Sequence, residues 1–330
     1  MVDHGEQETD IDRLLKPEVM KSTILYSILS CIVLFTASCS DSSDNADAAL
    51  PHKGAKTALM QNIADNLPEL QRVEKDSMWS VTDGVNVTEV KMVFRTYKTH
   101  MLIAEVDLTK NLTLAACCAD NAENPTTLQP LTEQIEALEK AGQTVYAGVN
   151  GDFFGKVKDN YQSMNVFVKD GKAIKDTYTA GNEGMIVKLK NGDIRIIHPR
   201  FFKSYAADIQ DAIGGFHALI TDGETNDLLV VNDLTMAFAP RTFVGLSQDG
   251  KKCYLFVVDG QQDDFSKGIR VEDAIGICKH AGCHNALNLD GGASSTFAAK
   301  DGKGTISVLN KPSDGEQRPI FNGLVVIKKG

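Results

Sequence analysis

The chain has no G-x-S-x-G nucleophile elbow, no C-x-x-C pair, no surplus of basic residues and no apolar run long enough for a comfortable membrane span. Each absence removes a class of function. Without the elbow, and with no histidine evidently placed to serve as its base, a serine acyl hydrolase built on Ser294 or Ser295 has little support. Five cysteines follow Cys39, namely Cys117, Cys118, Cys253, Cys278 and Cys283. Their odd number and unpaired spacing fit small buried hydrophobes better than a disulfide framework. A formal net charge of −10 leaves no basic surplus to neutralise a nucleic acid, although a local site for one phosphate is still allowed.

What is there begins with an unusual N-terminal region. Residues 1–19 are polar and acidic without a core-forming period, and they read as a disordered or non-native extension. Met20-Lys21 then looks like a second start, followed by an apolar run from Ile24 to Phe35 and by Thr36-Ala37-Ser38-Cys39. A charged start, a short apolar stretch and small residues before a cysteine make a secretory signal, and the last four residues resemble a bacterial lipobox with Thr36 where leucine is commoner. Residues 20–39 are therefore expected to be a lipoprotein signal peptide ending in a lipidated Cys39. Residues 40–55 are expected to be a flexible acidic tether holding the folded part on a membrane of the bacterial cell envelope. A buried core helix is the rival reading of the apolar run, and it leaves the Ser/Asp/Asn tract after Cys39 unexplained.

The remainder is long enough for a sizeable core. Residues 56–84 place Ala58, Leu59, Ile63, Leu67 and Leu70 at helical spacing, broken at Pro68, which predicts a peripheral helical segment. From 85 onward, successive strands are expected at 91–97, 100–108 and 112–118. Leu131, Ile135 and Leu138 mark an amphipathic surface helix stopped by Gly142. Lys169-Asp170-Gly171 and Asn191-Gly192-Asp193 suit hairpin turns. Residues 208–223 form an irregular apolar segment, in which His217 is either an acid–base group or, as is commoner for a lone histidine there, a hydrogen-bonded core residue. The expected fold class is α+β: a mixed, largely antiparallel β-sheet core with hairpins and a few packing helices, and one β-α-β crossover near the C-terminus.

Three strands end in acids. The strand over 144–149 runs into Asn150-Gly151-Asp152, and a long hairpin turning at Asp249-Gly250 places Arg241 and Asp259 at one end of its sheet. A helix over 271–280 then crosses to a strand that runs into Asn288-Leu289-Asp290-Gly291-Gly292-Ala293-Ser294-Ser295-Thr296. If that crossover joins parallel neighbours, Asp259 and Asp290 emerge on one edge, where open sheets place ligands. Gly291 and Gly292 let the backbone approach a ligand, with its N–H groups and the three hydroxyls as donors for an anion. A tight turn capped by Asp290 is the plainer reading of D-G-G alone, and an Arg–Asp ion pair is the plainer reading of Arg241 with Asp259. His280 and His284 have metal-pair spacing, but Gly282 breaks the helical face that a zinc site would need.

Taken together, N-G-D-F-F at 150–154, P-R-T-F-V-G at 240–245, V-D-G-Q-Q at 258–262, N-L-D-G-G-A-S-S-T at 288–296 and R-P-I-F-N-G-L at 318–324 resemble the phosphodiester glycosidase family. The resemblance spans roughly residues 85–330. It implies a hydrolase that removes a sugar, similar to N-acetylglucosamine, from a sugar-1-phosphodiester and leaves a phosphomonoester on the acceptor glycan. It also implies catalytic roles for Asp290, Asp259, Asp152 and Arg241, and substrate-binding roles for Asn150, Thr242, Gly291, Gly292, Ser294, Ser295, Thr296, Arg318 and Asn322. Two departures stand out: Ala293 replaces the third glycine of a common G-G-G run, and Gln261 stands where an arginine often follows D-G. The chemistry agrees with the residues, since a phosphodiester calls for arginine and N–H donors and a glycosidic bond calls for carboxylates. Three converging acids could equally hold a divalent cation, Ca²⁺ or Mg²⁺ by their hard oxygen ligands. A non-catalytic glycan- or phosphate-binding lipoprotein would need the same arginine and donors without the matched acids.

Overall fold

The structure, a computed structural model, describes residues 50–179, 184–226 and 233–330. The N-terminal extension, the signal peptide with Cys39 and residues 40–49 of the tether lie outside the described residues; the rest of the expected tether is folded, with Pro51–Gly54 in a 3-10 turn and Ala55 buried.

Helix α1 (Ala58–Asn66) is capped by the Thr57 side chain, which accepts from the Met60 amide, and it ends just before Pro68, which cannot continue it. Four strands follow: β1 (Leu70–Thr82), β2 (Val85–Phe94), β3 (Tyr97–Asp107) and β4 (Leu112–Cys118). After α2 (Leu131–Lys140) come β5 (Val145–Asn150), β6 (Phe154–Val157), β7 (Asn160–Ser163), β8 (Phe167–Lys169), β9 (Lys172–Lys175), β10 (Met185–Leu189) and β11 (Ile194–Ile197). A one-turn helix α3 (Phe202–Tyr205) precedes β12 (Ile209–Gly214), β13 (Ala218–Thr221) and β14 (Glu224–Thr225). A second, α4 (Asp233–Met236), precedes the hairpin β15 (Arg241–Leu246) and β16 (Lys252–Val258). Then α5 (Val271–Ala281) crosses to β17 (Asn285–Asn288), followed by β18 (Phe297–Lys300), β19 (Ile306–Val308) and β20 (Asn322–Lys328).

These strands make an eight-stranded sheet in the order β1-β2-β3-β16-β15-β17-β13-β14, two five-stranded sheets, β11-β10-β12-β8-β9 and β19-β18-β5-β20-β4, and the two-stranded hairpin β6-β7. Alternation along the strands sorts the core into layers. Met101, Ile103, Phe243 and Phe256 face Met60 and Ile63 of α1 and Ala274 and Ile277 of α5. Leu102, Ala104, Val244 and Leu287 point the other way, onto Leu114, Val149, Phe167 and Val326 of the two smaller sheets. Those sheets are covered on their outer faces by α2, through Leu131, Ile135 and Leu138, and by Phe202 of α3. The large sheet is thus buried on both faces along its centre, which is why β15 and β16 read as almost continuous apolar runs. Cys117 and Cys118 face opposite ways, as neighbours in a strand must.

Three expectations need correction. The peripheral helical segment over 56–84 is helical only at α1, and α1 sits in a core cluster; Leu70–Thr82 is a strand. The irregular segment over 208–223 holds β12 and β13. The crossover through α5 does not join neighbours, because β15 lies between β16 and β17 and pairs antiparallel with both. β16 and β17 nevertheless run in the same direction, so Asp259 and Asp290 leave the large sheet at one edge.

Candidate active site

At that edge the large sheet meets the sheet containing β5 and β20. The Asp290 amide donates to Gly151 O at 3.0 Å, and the Gly151 amide donates to Asn322 O at 2.9 Å. Only glycine fits between them, since a Cβ on residue 151 would stand 2.2 Å from Asn322 Oδ1.

Asn150, at the end of β5, ties the junction together. Its Oδ1 accepts from Thr242 Oγ1 at 2.7 Å and from the Thr296 amide at 3.1 Å, while its Nδ2 donates to Asp290 O at 2.6 Å. Asn150, Thr242 and Thr296 are fully buried, so they position the acid-bearing loop and do not contact a ligand from solvent.

Asp152 is 2% exposed. Its carboxylate accepts from the Ser163 hydroxyl and, at 2.8 Å each, from the amide and the Nδ2 of Asn165. Asn322 completes this network: its Oδ1 accepts from the Asp152 amide at 2.8 Å and its Nδ2 donates to Ser163 at 3.3 Å. Burial nevertheless pushes the Asp152 carboxyl up to about 6, against the lowering effect of these donors. Asp290 is partly exposed but its carboxyl has buried surroundings, which raise it to about 7, with a further push from the Asp152 charge. Ser294, the Gly291 amide and Arg318 oppose that rise.

The loop after Asp290 differs from its expected use. Gly292 has φ +60°, and Gly291 passes so close to Pro240 that a Cβ would lie 2.9 Å from its carbonyl. Both glycines are thus needed, Gly291 for close packing and Gly292 for its left-handed backbone. The amides of Gly292, Ser294, Ser295 and Thr296 donate to Pro240 O, Gly291 O, Gly292 O and Asn150 Oδ1, so they are not aimed at an anion. The hydroxyls are different. Ser294 Oγ and Ser295 Oγ are buried without a hydrogen-bond partner of standard geometry, as is Asn288 Oδ1. Ala293 is not among the residues with positive φ, so the missing third glycine causes no strain.

Asp259 stands apart from the other two acids. It is 1% exposed, with Oδ2 2.6 Å from His100 Nδ1 and Oδ1 accepting from Asn310 Nδ2 at 2.9 Å; the Lys311 amide donates to both oxygens at 3.1 Å. Asn310 Nδ2 also donates to Ser295 O at 3.0 Å. The expected convergence of three acids therefore becomes a pair, Asp152 with Asp290, and an anchor, Asp259, that holds the serine loop through Asn310. Among the described residues no group of three or more His, Cys, Asp or Glu side chains is placed to hold a metal.

Arg241 is likewise relocated. It shares a strand face with Phe243, and its guanidinium donates to Ile269 O at 3.2 Å and Ala237 O at 2.8 Å; burial lowers it to about 10. The rival reading, an ion pair between Arg241 and Asp259, is not met either, because Asp259 pairs with His100. Arg318 is exposed, with Asp314 accepting from it at 3.1 Å, and its charge is felt weakly at Asp290. His217 is buried, its ring against Phe216, and burial together with the Arg241 charge lowers its pKa. Ser163, Asn165, His100 and Asn310 went unnoticed in the sequence. Asn310 lies 51 residues from Asp259, and His100 lies 159 residues away, with no motif around either.

The fold is similar to that of the catalytic domain of zebrafish N-acetylglucosamine-1-phosphodiester alpha-N-acetylglucosaminidase, auto-inhibited by its pro-peptide, with a TM-score of 0.58 and 18% identity over 76% of this chain and 87% of that one. A hypothetical protein from Synechocystis is similar too, with a TM-score of 0.58 and 12% identity over 78% of this chain and 64% of that one. In sequence, the uncharacterized protein YomE of the SPbeta prophage in Bacillus subtilis strain 168 is 30% identical over 179 residues, 51% of this chain but 26% of its own length. The chain thus spans about a quarter of that relative. The model of the phosphodiester glycosidase family matches residues 143–327, which include Asn150, Asp152, Arg241, Asp259, Asp290 and Asn322. The chain belongs to the phosphodiester glycosidase family.

Proposed function

We propose that the protein is a hydrolase that removes a sugar of the N-acetylglucosamine kind from a sugar-1-phosphodiester, leaving a phosphomonoester on the acceptor glycan. The observation that carries this reading is the Asp152–Asp290 pair, two carboxyls with raised pKa values at the junction of two sheets, where the charge of an exposed arginine is felt weakly. Perturbed acids gathered in this way mark sites of proton transfer. Asp290, raised to about 7, is protonated in about half of the molecules at neutral pH, and its partial exposure lets it reach a substrate. It serves as the general acid toward the leaving oxygen. Asp152, enclosed by Ser163 and Asn165, acts through its charge, which helps keep Asp290 protonated. Arg318 and the hydroxyls of Ser294 and Ser295 supply the positive and donor side that a phosphodiester requires.

The test is an assay for free sugar and phosphomonoester from a GlcNAc-α-phosphate-mannose substrate, run with and without EDTA. Both products are expected. Binding of that substrate without release would assign the site to a non-catalytic glycan-binding protein instead. Loss of release in EDTA would require a divalent cation, Ca²⁺ or Mg²⁺ by the oxygen-rich donor set.

A further inference from the structure

Helix α5 ends in a Schellman motif. Gly282 has φ 93°, its amide donates to Lys279 O at 3.1 Å, and the Cys283 amide donates to Cys278 O at 3.0 Å. This turn folds the chain back so that the side chains of its first and sixth residues meet, usually as an apolar contact. Here both of those residues are cysteines. Both are free thiols buried in the same cluster, on the α5 side of the large sheet, and close enough that Cys283 acts on the Cys278 thiol. Cys283 is pressed against β15, where a Cβ on Gly245 would stand 2.2 Å from its sulfur. Cys253 belongs to the cluster on the opposite face, so the sheet separates it from the pair.

We propose that Cys278 and Cys283 are a disulfide-forming pair, oxidised by a disulfide such as oxidised glutathione as the chain folds, which locks α5 to the head of β17. The thiolate of one cysteine attacks a sulfur of the glutathione disulfide, giving a mixed disulfide and one reduced glutathione. The second cysteine, after losing its proton, displaces the other glutathione. Two protein thiols are oxidised and one glutathione disulfide is reduced to two thiols, which take up the two protons. Burial raises the Cys278 thiol well above its ordinary range, so the folded cap reacts slowly and the exchange belongs to the folding stage. The joint it fixes leads through β17 to Asp290.

Trypsin reads this bond directly, because Lys279 lies between the two cysteines. The reduced full chain is refolded in a glutathione redox buffer, its remaining thiols are alkylated under denaturing conditions, and the digest is examined by mass spectrometry. The expected result is peptide 271–279 linked to peptide 280–300, in the parent chain and in Cys253→Ala alike. Adding a phosphine reductant to the refolded protein should then lower Tm by about 5 °C, the scale for a short closed loop in a domain of this size. That drop should be missing in Cys278→Ala and Cys283→Ala. Recovery of both peptides in alkylated, unlinked form, or a link from Cys283 to the peptide carrying Cys253, overturns the proposal. The parent-chain digest decides the matter even if an alanine variant folds poorly.

Discussion

At the scale of single residues, Asp290 carries the clearest expectations. Asp290→Asn keeps the shape and removes the proton, so turnover should fall at least about a hundredfold, the low end for a positioned acid. Near-normal turnover would make Asp290 a turn cap, because asparagine caps almost as well. As the acid, Asp290 should also give the parent activity that declines as pH rises through about 7, and a profile flat to pH 9 would remove it from that role. Stability should fall over the same range. A carboxyl whose folded pKa lies above its unfolded value binds its proton more tightly when folded. Its contribution is therefore fully present below about pH 4 and lost as pH rises through about 7. Asp290→Asn should thus be more stable than the parent at pH 8, by about 1–2 kcal/mol after allowing for partial exposure, with the gap closing at pH 4. Denaturant midpoints at the two pH values measure it. The cations divide similarly. Arg318→Gln should lower kcat/KM by about 1–3 kcal/mol of transition-state stabilisation with little change in Tm. Arg241→Lys should mainly lower Tm, because its guanidinium holds two main-chain carbonyls. The acids were legible in the sequence because each follows a strand and borders glycine. Their supports, Ser163, Asn165 and Asn310, were not, because an isolated Ser or Asn has no local pattern and meets its partner only through the fold.

At the scale of elements, the junction between sheets depends on close backbone approach. Gly151→Ala drives a methyl into Asn322 Oδ1 and breaks the support of Asp152, so a loss of about 1–3 kcal/mol in stability, seen in the denaturant midpoint, is expected together with a loss of turnover. Asn310→Ala probes the anchor. It removes the link between Asp259 and Ser295 and should reduce turnover while the large sheet still folds. Equal turnover would show that Asp259 holds nothing the reaction needs. The hairpins were readable from Asp-Gly and Asn-Gly turns, and β15 and β16 from their apolar runs. β1 was not, for a specific reason: bulges between Leu70 and Arg72 and between Val73 and Lys75 leave Leu70, Val73 and Asp76 buried at intervals of three. An interrupted strand of that kind imitates a helical period.

At the scale of the whole molecule, the net charge of −10 keeps nucleic acid an unsuitable partner. We further propose that the chain is lipid-anchored at Cys39 in a bacterial envelope. Cys39→Ala should move it from the membrane fraction to the soluble fraction, and unchanged fractionation would count against the anchor. Layering was legible only in part. The sequence indicated which strands are apolar on both faces, but it could not say that β15 separates β16 from β17. That order is set by pairing across turns and crossovers rather than by any residue pattern.

The position of β20 bears on how the protein is made. It lies between β4 and β5, strands synthesised some two hundred residues earlier, and contributes Asn322 at its first position. Until those last strand residues leave the ribosome, β4 and β5 have no partner between them and Asp152 has no Asn322 beneath it. Nascent fragments therefore expose two unpaired apolar edges, the kind of surface chaperones shield. Activity is expected only once β20 has been added, so a chain cut short before residue 322 should be aggregation-prone and inactive.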